Sequence, residues 1–396
     1  MANGTVASHT AHPVPAPLGG RLVTPTTIIL AVLSLIAAVL LVQRFFYGLG
    51  SVTNINDGYP WGIWIAYDVV IGSALACGGF AMALLVYIFN KGQYHPLVRP
   101  ALLASMFGYT LAGMSVIFDL GRYWNFWHIF WPRYAQVNSV MFEVALCVSA
   151  YILVMWIEFT PAILEKFGMG DLRRKLNKTL FFFIGLGVLL PTMHQSSLGS
   201  LLVVFGPQVN PLWQTVLLPL LFLISALMMG YAMVIFEACL SSVGFKRPME
   251  TDILAKVAGV MNVFLIIYVV LRFGDLILRG ALGLAFTQGF LSFMFWVENV
   301  FYVLPLVLLW NKANRNNPQK LFVSGVCMVL GGFFYRINAY LVGYDTGAGW
   351  HYFPSFSEIM VTVGLIAFEI LAYIIFVRSL PVLPQEGHAS AGAAAK

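Results

Sequence analysis

Residues 26–46 read TTIILAVLSLIAAVLLVQRFF, and Ser34 is the only polar residue between Ile28 and Val42. A transmembrane helix needs about 20 mostly apolar residues, so this run is long enough to cross a bilayer. No small-residue cleavage site follows it, which favours a retained span over a signal peptide. Nine further runs of this kind follow, at residues 62–89, 97–119, 138–160, 179–204, 214–240, 257–279, 289–311, 320–343 and 356–380.

The composition of the whole chain agrees with a protein embedded in lipid. Of its 396 residues, 60% are hydrophobic and 10% are charged, whereas soluble domains carry about 25% charged residues. The mean hydropathy is +0.84. The sequence therefore predicts an all-α, polytopic integral membrane protein of about ten transmembrane helices. We expect one membrane domain over residues 26–380, a disordered N-terminal tail over 1–25 and a C-terminal tail over 381–396.

The cysteines exclude several kinds of site within this chain. All four lie inside apolar runs, and no two of them have the C-x-x-C spacing (Cys77, Cys147, Cys239 and Cys327). A zinc ribbon, a ferredoxin-type Fe–S motif and a disulfide framework all need closer or more regular spacing. We expect no metal site in the chain.

The positive charges predict the orientation of the ten spans. Sixteen of the 22 Lys and Arg residues lie in the tails or in loops on one side, including the cluster from Lys166 to Lys178. The other side carries six arginines and no lysine. By the positive-inside rule, both termini are cytoplasmic. The net charge of +6 thus reflects membrane topology and does not indicate nucleic-acid binding.

The predicted outer loops are rich in aromatic residues, as in DGYPWG (57–62) and RYWNFWH (122–128). Trp and Tyr favour the membrane interface, which accounts for most of them. The outer side nevertheless carries far more of them than the inner side. A docking surface for an extracytoplasmic partner is therefore a second interpretation.

Ionisable and phenolic side chains from several spans fall within the outer half of the predicted bundle. Such groups are costly in lipid and usually face the protein interior or a water-filled path. At about 1.5 Å per residue, their depths place them in one layer. The members of this layer are Asp68, Tyr109, Asp119, Arg122, Glu143, His194, Arg272, Asp275 and Arg336.

Some of these residues also have a purely structural interpretation. Asp119 with Arg122, and Arg272 with Asp275, have the i,i+3 spacing of an ion pair at a helix end. The depth of Asp68 and Glu143 in the membrane favours a functional role for both carboxylates, although either could pair with an arginine. Four other carboxylates are weaker candidates: Glu158 and Glu237 lie near the cytoplasmic ends of spans, and Glu298 and Glu369 lie nearer the middle of the membrane.

The most specific local pattern is LPTMHQSSLGS, residues 190–200. Pro191 cannot donate a backbone hydrogen bond, so a kink is expected there. His194 follows within a run of polar side chains that need partners in lipid. A single histidine is usually a buried hydrogen-bonding residue, but this polar run favours ligand binding. Its imidazole is suited to hydrogen bonding a carbonyl oxygen and to passing a proton.

A haem cytochrome is not expected from the histidines. A b-type haem in a membrane protein normally takes two axial histidines from inside helices, and only His194 lies well inside a predicted span. The small residues of GSALACGG (72–79) are interpreted as a close helix-packing surface.

Several long motifs resemble one known family. The chain is similar to the integral membrane subunits of hydrogenase-2-type NiFe uptake hydrogenases, within the NrfD/PsrC superfamily. The resemblance runs from about Pro17 to Pro384. It is carried by YGLG (47–50), PWGIWIAYD (60–68), GQYHPLVRP (92–100), DLGRYWN (119–125), NSVMFE (138–143), LPTMHQSS (190–197) and LRFGD (271–275).

The resemblance implies an NrfD-like helical bundle that binds a quinone, menaquinone or ubiquinone, and carries no haem or Fe–S cluster. It implies three protein partners: a periplasmic ferredoxin-like Fe–S subunit and the large and small subunits of a NiFe hydrogenase. It also implies a location in the bacterial inner membrane, in contact with the quinone pool. By similarity Tyr109, Glu143 and His194 are the first candidates for quinone or proton handling, followed by Asp68, Asp119 and Arg122. Of these, Glu143, His194 and Asp68 would deliver protons.

Two other functions remain open at this point. A proton- or ion-coupled transporter also uses broken helices with polar interiors, but its site is expected at the midplane between two repeats. The sequence has no clear internal repeat, and its polar layer is off-centre. A passive membrane anchor would not need His194 in a polar segment.

Overall fold

The computed structural model describes residues 15–347 and 349–384, and within them it confirms an all-α polytopic membrane protein. In this part of the chain, ten helices are long and apolar enough to cross a membrane. We number them α1 to α10: Pro25–Tyr47, Trp64–Ile88, Gly92–Asp119, Val140–Lys166, Gly170–Gln208, Leu218–Gly244, Thr251–Leu278, Phe290–Trp310, Pro318–Val342 and Phe356–Ser379. In the described residues the only β-type pairings are two isolated bridges.

The helix ends differ most from the prediction at α5. This helix begins at Gly170, before the predicted start at 179, and its first turns carry Asp171 and several basic residues. A hydropathy criterion detects only the part of a helix that lies in lipid. At about 1.5 Å per residue, a helix of this length extends well beyond the bilayer core.

The interior of the bundle is formed mainly by α2, α3, α6 and α9. In α2 and α6, 78% of the most apolar stretch is buried inside the protein, against 11% in α1 and α5. α2 packs on α3 and α6, α6 also packs on α9, and α4 packs along α5. α1 packs mainly against α10 at the edge of the molecule. Polar residues brought in by the four central helices are therefore shielded from lipid by their neighbours.

The interior helices are interrupted at several points. α2 consists of a π-helical segment, Trp64–Ile71, two short α-helical segments and a second π-helical segment, Leu84–Ile88. α9 also ends in a π-helical segment, Asn338–Val342. π-Helical turns within α-helices often occur at functional sites. Here they border the polar residues described below.

The glycines of residues 72–79 allow the close packing expected from the sequence. The backbone N–H of Gly79 donates to Ser105 Oγ of α3 at 2.7 Å. On the other side, a Cβ added at Gly230 of α6 would lie 2.6 Å from the carbonyl oxygen of Cys77. Backbone contact of this kind requires small residues on both helices.

Both ends of the described chain lie on the same side of the bundle. Ala16 N–H donates to the Leu383 carbonyl at 3.2 Å, and Gly19 N–H donates to the Arg378 carbonyl at 3.0 Å. The predicted N-terminal tail therefore includes a segment, residues 15–19, that pairs with the end of α10 and the residues after it. The rest of the predicted tails, residues 1–14 and 385–396, lies outside the described residues.

Candidate functional site

His194 lies in the interior of α5, three residues after Pro191, and its side chain is fully buried. Its Nδ1 is 2.8 Å from the carbonyl oxygen of Leu190, one turn earlier. A carbonyl oxygen only accepts, so Nδ1 carries the hydrogen of the neutral ring and Nε2 is the acceptor. The backbone of α5 thus orients the imidazole and presents Nε2 to the neighbouring helices.

Tyr109 of α3 is the partner of that nitrogen. Its hydroxyl lies 2.8 Å from His194 Nε2, and its side chain is fully buried. The hydroxyl oxygen is also 3.2 Å from Cys77 Sγ of α2. Tyr109 is ten residues from the end of α3 at Asp119, which is about 15 Å along the helix axis. The pair therefore lies inside the bundle, away from both ends of α3.

Gln195 and Arg336 extend this pair into a chain of hydrogen bonds. Gln195 Nε2 donates to the Tyr109 hydroxyl at 3.3 Å and to Ser73 Oγ at 3.0 Å. Gln195 Oε1 accepts from Arg336 Nη2 of α9 at 3.0 Å. Each residue donates a hydrogen bond to the next one in the order Arg336, Gln195, Tyr109 and His194. We call these four residues the polar chain.

Arg336 is held rigidly although it is fully buried. It donates to the Val70 carbonyl at 2.9 Å, to the Phe222 carbonyl at 3.0 Å and to Ser225 Oγ at 3.2 Å. Its guanidinium also lies 4.7 Å from the centre of the Phe222 ring. A buried cation needs such contacts, because it is costly when left without partners. The positive end of the polar chain is therefore fixed to α2 and α6.

The outer loops are attached to the same helices. Trp61 Nε1 donates to the Tyr340 carbonyl at 2.8 Å, and the Tyr340 hydroxyl donates to the Leu198 carbonyl at 2.7 Å, one turn after His194. In the last outer loop, the Tyr352 hydroxyl donates to Glu358 Oε1 at 2.6 Å. Burial and this bond to a carboxylate raise the pKa of Tyr352. These contacts fix the loop that precedes α2 over the outer end of the polar chain.

The predicted residue Asp68 lies in the π-helical segment of α2, two residues before the carbonyl that binds Arg336. Its side chain is buried, with 9% of its surface exposed, and Thr362 Oγ1 of α10 donates to it at 3.4 Å. The alternative left open by the sequence, a pair with an arginine, is not formed among the described residues. Asp68 faces α10, and no hydrogen bond in this part of the chain joins it to His194.

Glu143, Asp119 and Arg122 lie outside the polar chain. Glu143 is half-buried in the first turn of α4, and its carboxylate has no hydrogen bond or ion pair within the described residues. Asp119 is half-buried at the end of α3, and Arg122 is exposed in the following loop. The structure therefore brings together Tyr109 and His194 among the predicted site residues, and leaves the other four apart from them.

The i,i+3 ion pairs that are the structural interpretation of Asp119 with Arg122 and of Arg272 with Asp275 are not formed. Asp119 interacts electrostatically with Arg44 of α1, whose guanidinium donates to the Phe118 carbonyl at 2.6 Å and to the Leu120 carbonyl. Asp275 pairs with Arg279 at 2.7 Å and accepts from Thr215 at 2.8 Å. These corrections have one cause: neighbouring helices and loops provide closer partners than the residue three positions away.

Arg272 takes its partners from α8 and α9. It is fully buried, 3.6 Å from Glu298 Oε1 of α8, and its guanidinium lies 5.4 Å from the centre of the Tyr335 ring. Glu298 Oε2 also accepts from Trp213 Nε1 at 2.8 Å and from Asn338 Nδ2 at 3.1 Å. Glu298, a weak candidate from sequence, therefore belongs to a second buried polar cluster.

Gln195 and Arg336 are not among the site residues predicted from the sequence. Gln195 stood within the polar run after Pro191, and Arg336 was one of several outer arginines. The signal in the sequence that could have identified Arg336 is its position inside a span, without a carboxylate near it along the chain. Its partners turned out to be backbone carbonyls and the amide of Gln195, which no spacing rule along the chain could indicate.

The surroundings of His194 do not fit a bis-histidine haem site. Both ring nitrogens lie within hydrogen-bond distance of protein atoms, and the nearest aromatic rings belong to Tyr109 and Tyr151, with centroids at 5.3 Å and 6.1 Å. Among the described residues there is also no group of three or more His, Cys, Asp or Glu side chains that could hold a metal ion. The polar chain is suited instead to binding an oxygen atom of an organic molecule and to moving a proton.

Comparison with known proteins identifies the relatives of this chain. Residues 51–346 match the family model described as polysulphide reductase, NrfD. The chain is 48% identical over 373 residues to the probable Ni/Fe-hydrogenase 2 b-type cytochrome subunit of Escherichia coli, covering 93% of this chain and 95% of that protein. It is 29% identical over 383 residues to the integral membrane subunit of menaquinone reductase from Nitratidesulfovibrio vulgaris, covering 86% and 87%. An Hdr-like menaquinol oxidoreductase integral membrane subunit from Archaeoglobus fulgidus is 23% identical over 387 residues, covering 90% and 94%.

Proposed function

The chain belongs to the NrfD family of multi-pass membrane proteins, and we propose that it is the quinone-binding membrane subunit of a periplasm-facing NiFe hydrogenase complex. In this role it anchors the complex and passes electrons from H2 oxidation, through an Fe–S partner subunit, to menaquinone or ubiquinone. The chain does not oxidise H2 by itself. Two relatives support the two halves of this proposal, because one is named for hydrogenase 2 and the other for menaquinone reductase.

The observation that carries the proposal is the buried hydrogen bond between Tyr109 and His194. It joins α3 to α5 at 2.8 Å, inside a chain that also includes α9. Tyrosine and histidine side chains can bind a quinone oxygen and exchange a proton with it. The quinone, when bound, supplies the two-electron acceptor, and its reduction consumes two protons.

We propose distinct tasks for the members of the polar chain. Tyr109 holds a proton at a hydroxyl that is within reach of His194 Nε2 and Cys77 Sγ. His194 accepts at Nε2 because its Nδ1 hydrogen is directed to the Leu190 carbonyl. Gln195 orients Tyr109, and Arg336 orients Gln195 through the amide oxygen. Arg336 and Gln195 are therefore positioning residues.

The remaining predicted residues are proposed either to supply protons to the site or to line its entrance. Asp68 and Glu143 are carboxylates in the outer half of α2 and α4, where they can exchange protons with the periplasmic side. Asp119 and Arg122, at the outer end of α3, are proposed to lie at the entrance used by the quinone headgroup. Because quinone reduction takes up protons, electron transfer is proposed to be coupled to proton transfer at this site.

The partner subunits are proposed to dock on the outer face. In the loop between α3 and α4, Trp124, Trp127 and Trp131 are 58%, 44% and 56% exposed. Exposed aromatic side chains are frequent in protein interfaces as well as at the membrane surface. With both termini in the cytoplasm of a bacterial cell, this loop faces the periplasm, where the Fe–S subunit and the hydrogenase pair are expected.

The test uses the assembled complex purified with all its subunits. Two rates are measured with H2 as the donor, one with a menaquinone analogue and one with an artificial dye. Glu143→Gln is expected to lower the quinone rate by about tenfold or more, as for loss of a proton-transferring group, and to leave the dye rate unchanged. Glu165→Gln, on the same helix but in a surface ion pair with Arg99, is the matched control.

Inhibition separates this function from the alternatives. A quinone-site inhibitor is expected to block the quinone rate and to leave the dye rate intact. If the wild-type complex reduces the quinone analogue at a rate that no such inhibitor affects, the proposed site does not exist. A full quinone rate in the assembled Glu143→Gln complex would remove Glu143 from the site while leaving the Tyr109–His194 pair to be tested separately.

A further inference from the structure

A cavity of about 640 Å³ lies beside the first turns of α7, and none of the polar chain residues lines it. One wall is formed by the first turns of α7, and the other by the short helix Lys312–Arg315 that follows α8. Its lining includes Asp252, Lys256, Val260, Val263, Lys312 and Arg315. The cavity is therefore basic at one end and apolar at the other.

The three cations of this cavity have no ion pair within the described part of the chain. Lys256 Nζ donates to the amide oxygen of Gln93 at 3.0 Å. Arg315 donates through Nε to the Leu309 carbonyl at 2.7 Å. The acidic residue of the lining is Asp252, which is exposed and lies one turn before Lys256. The local balance is three positive charges against one negative charge, which favours an anion.

Arg315 is held in place against the backbone of α7. A Cβ added at Gly259 would lie 3.0 Å from Arg315 Nη1, so the glycine leaves room for the guanidinium. Nε is bound to the Leu309 carbonyl, and within the described residues the two terminal amino groups of Arg315, which lines the cavity, form no hydrogen bond. A guanidinium fixed in this way is well suited to phosphate, which it can bind through two parallel hydrogen bonds.

The depth of the cavity corresponds to the headgroup layer of the membrane. Trp310, the last residue of α8, is 69% exposed, and exposed tryptophans typically lie at the membrane–water interface. Lys312 follows two residues later. At the apolar end of the cavity, further along α7, Val263 is 56% exposed on the lipid-facing surface. A molecule in the cavity can thus contact cations at the interface and apolar side chains in the hydrocarbon layer.

We propose that this cavity binds the phosphate headgroup of an anionic phospholipid from the leaflet on which the two termini lie. The phosphate would contact Arg315, Lys256 and Lys312, and the acyl chains would lie along Val260 and Val263. Basic pockets between transmembrane helices on this side of a membrane are suited to anionic lipid headgroups. A free phosphate ion shares the same chemistry, but it would use neither the apolar wall nor most of the volume.

The experiment uses the full-length chain, with its complex, in nanodiscs that contain dioleoylphosphatidylcholine with or without dioleoylphosphatidylglycerol. Native mass spectrometry after mild delipidation counts the phosphatidylglycerol molecules that stay bound. Lys256→Gln with Lys312→Gln is expected to weaken this retention by about fivefold per lysine, in keeping with the contribution of one basic residue near an anionic surface. Lys175→Gln with Lys178→Gln removes two exposed lysines from α5 on the same side and is the matched control.

Three outcomes would overturn the proposal. The first is equal loss of phosphatidylglycerol in the two double variants, which would indicate a general effect of surface charge. The second is retention of phosphatidylcholine and phosphatidylglycerol to the same extent. The third is displacement of the lipid by millimolar inorganic phosphate, which would identify the site as one for a soluble anion. If the double variant does not accumulate, Lys312→Gln alone gives the same comparison, because that lysine is exposed.

Discussion

One ring nitrogen of His194, the acceptor Nε2, determines which proton transfers the proposed quinone site can make. In His194, Nδ1 is bound to its own helix, so the ring can accept a proton only at Nε2, where Tyr109 lies. Of the atoms around it, the Tyr109 hydroxyl is the one best placed to transfer a proton. The chemistry at this scale therefore depends on one oxygen atom.

Tyr109→Phe removes that oxygen and keeps the ring. We expect the quinone rate of the assembled complex to fall by about tenfold or more, because an acid–base group of this kind contributes at least that much. The dye-linked rate with H2 should not change. The measurement is the pair of rates in membranes that contain equal amounts of complex.

Tyr151→Phe is the matched control for this change. Its ring packs edge-to-face against the Tyr109 ring, with centroids 4.7 Å apart, and its hydroxyl makes no hydrogen bond within the described residues. A general effect of removing a buried tyrosine hydroxyl would affect both variants. Equal quinone rates in the two variants would remove the Tyr109 hydroxyl from the mechanism.

At the scale of helices, the polar chain depends on the contact between α2 and α6. Gly230 of α6 lies against the backbone of Cys77, at the break between the two short α-helical segments of α2. Cys77 in turn approaches Tyr109 through its sulfur at 3.2 Å. Displacement of α2 would thus be transmitted to the residue that faces His194.

Gly230→Val is expected to separate α2 from α6, because the new side chain would overlap the Cys77 carbonyl. Overpacking of a tight interior typically costs about 1–3 kcal/mol, and we expect a lower thermal unfolding midpoint of the purified protein. Gly274→Val is the control, since no atom of a neighbouring element lies within 4 Å of a Cβ at that position of α7. Equal midpoints for the two variants would contradict the packing argument.

At the scale of the whole molecule, ten spans return the chain to the side on which it began. The pairing of residues 15–19 with the residues around 377–384 is consistent with this count. Which side this is depends on the charges of the loops, which favour the cytoplasm. The same orientation places the Tyr109–His194 pair in the periplasmic half and the basic cavity at the cytoplasmic surface.

Fusions of reporter proteins test this orientation. Green fluorescent protein after residue 396 is expected to be fluorescent, because it folds in the cytoplasm, and alkaline phosphatase at the same position is expected to be inactive. Truncated fusions that end at Trp131, in the aromatic outer loop, should give the reverse result: green fluorescent protein dark and alkaline phosphatase active. If the fusions at both positions show the opposite pattern, the proposed positions of the quinone site and of the partner subunits are inverted.

The sequence by itself determined the number of spans and the fold class, and it predicted the sides of the loops and the roles of Tyr109 and His194. These properties follow from hydropathy, charge and local motifs, which are read residue by residue along the chain. Only the tertiary structure decided the partners. It joined His194 to Tyr109, brought Gln195 and Arg336 into the polar chain, paired Arg272 with Glu298 and left Glu143, Asp119 and Arg122 apart. Each residue along a helix turns the side chain by about 100°, so the direction in which a polar group points depends on how each helix is rotated against its neighbours. Packing sets that rotation, and it is not encoded in the order of residues along a single span.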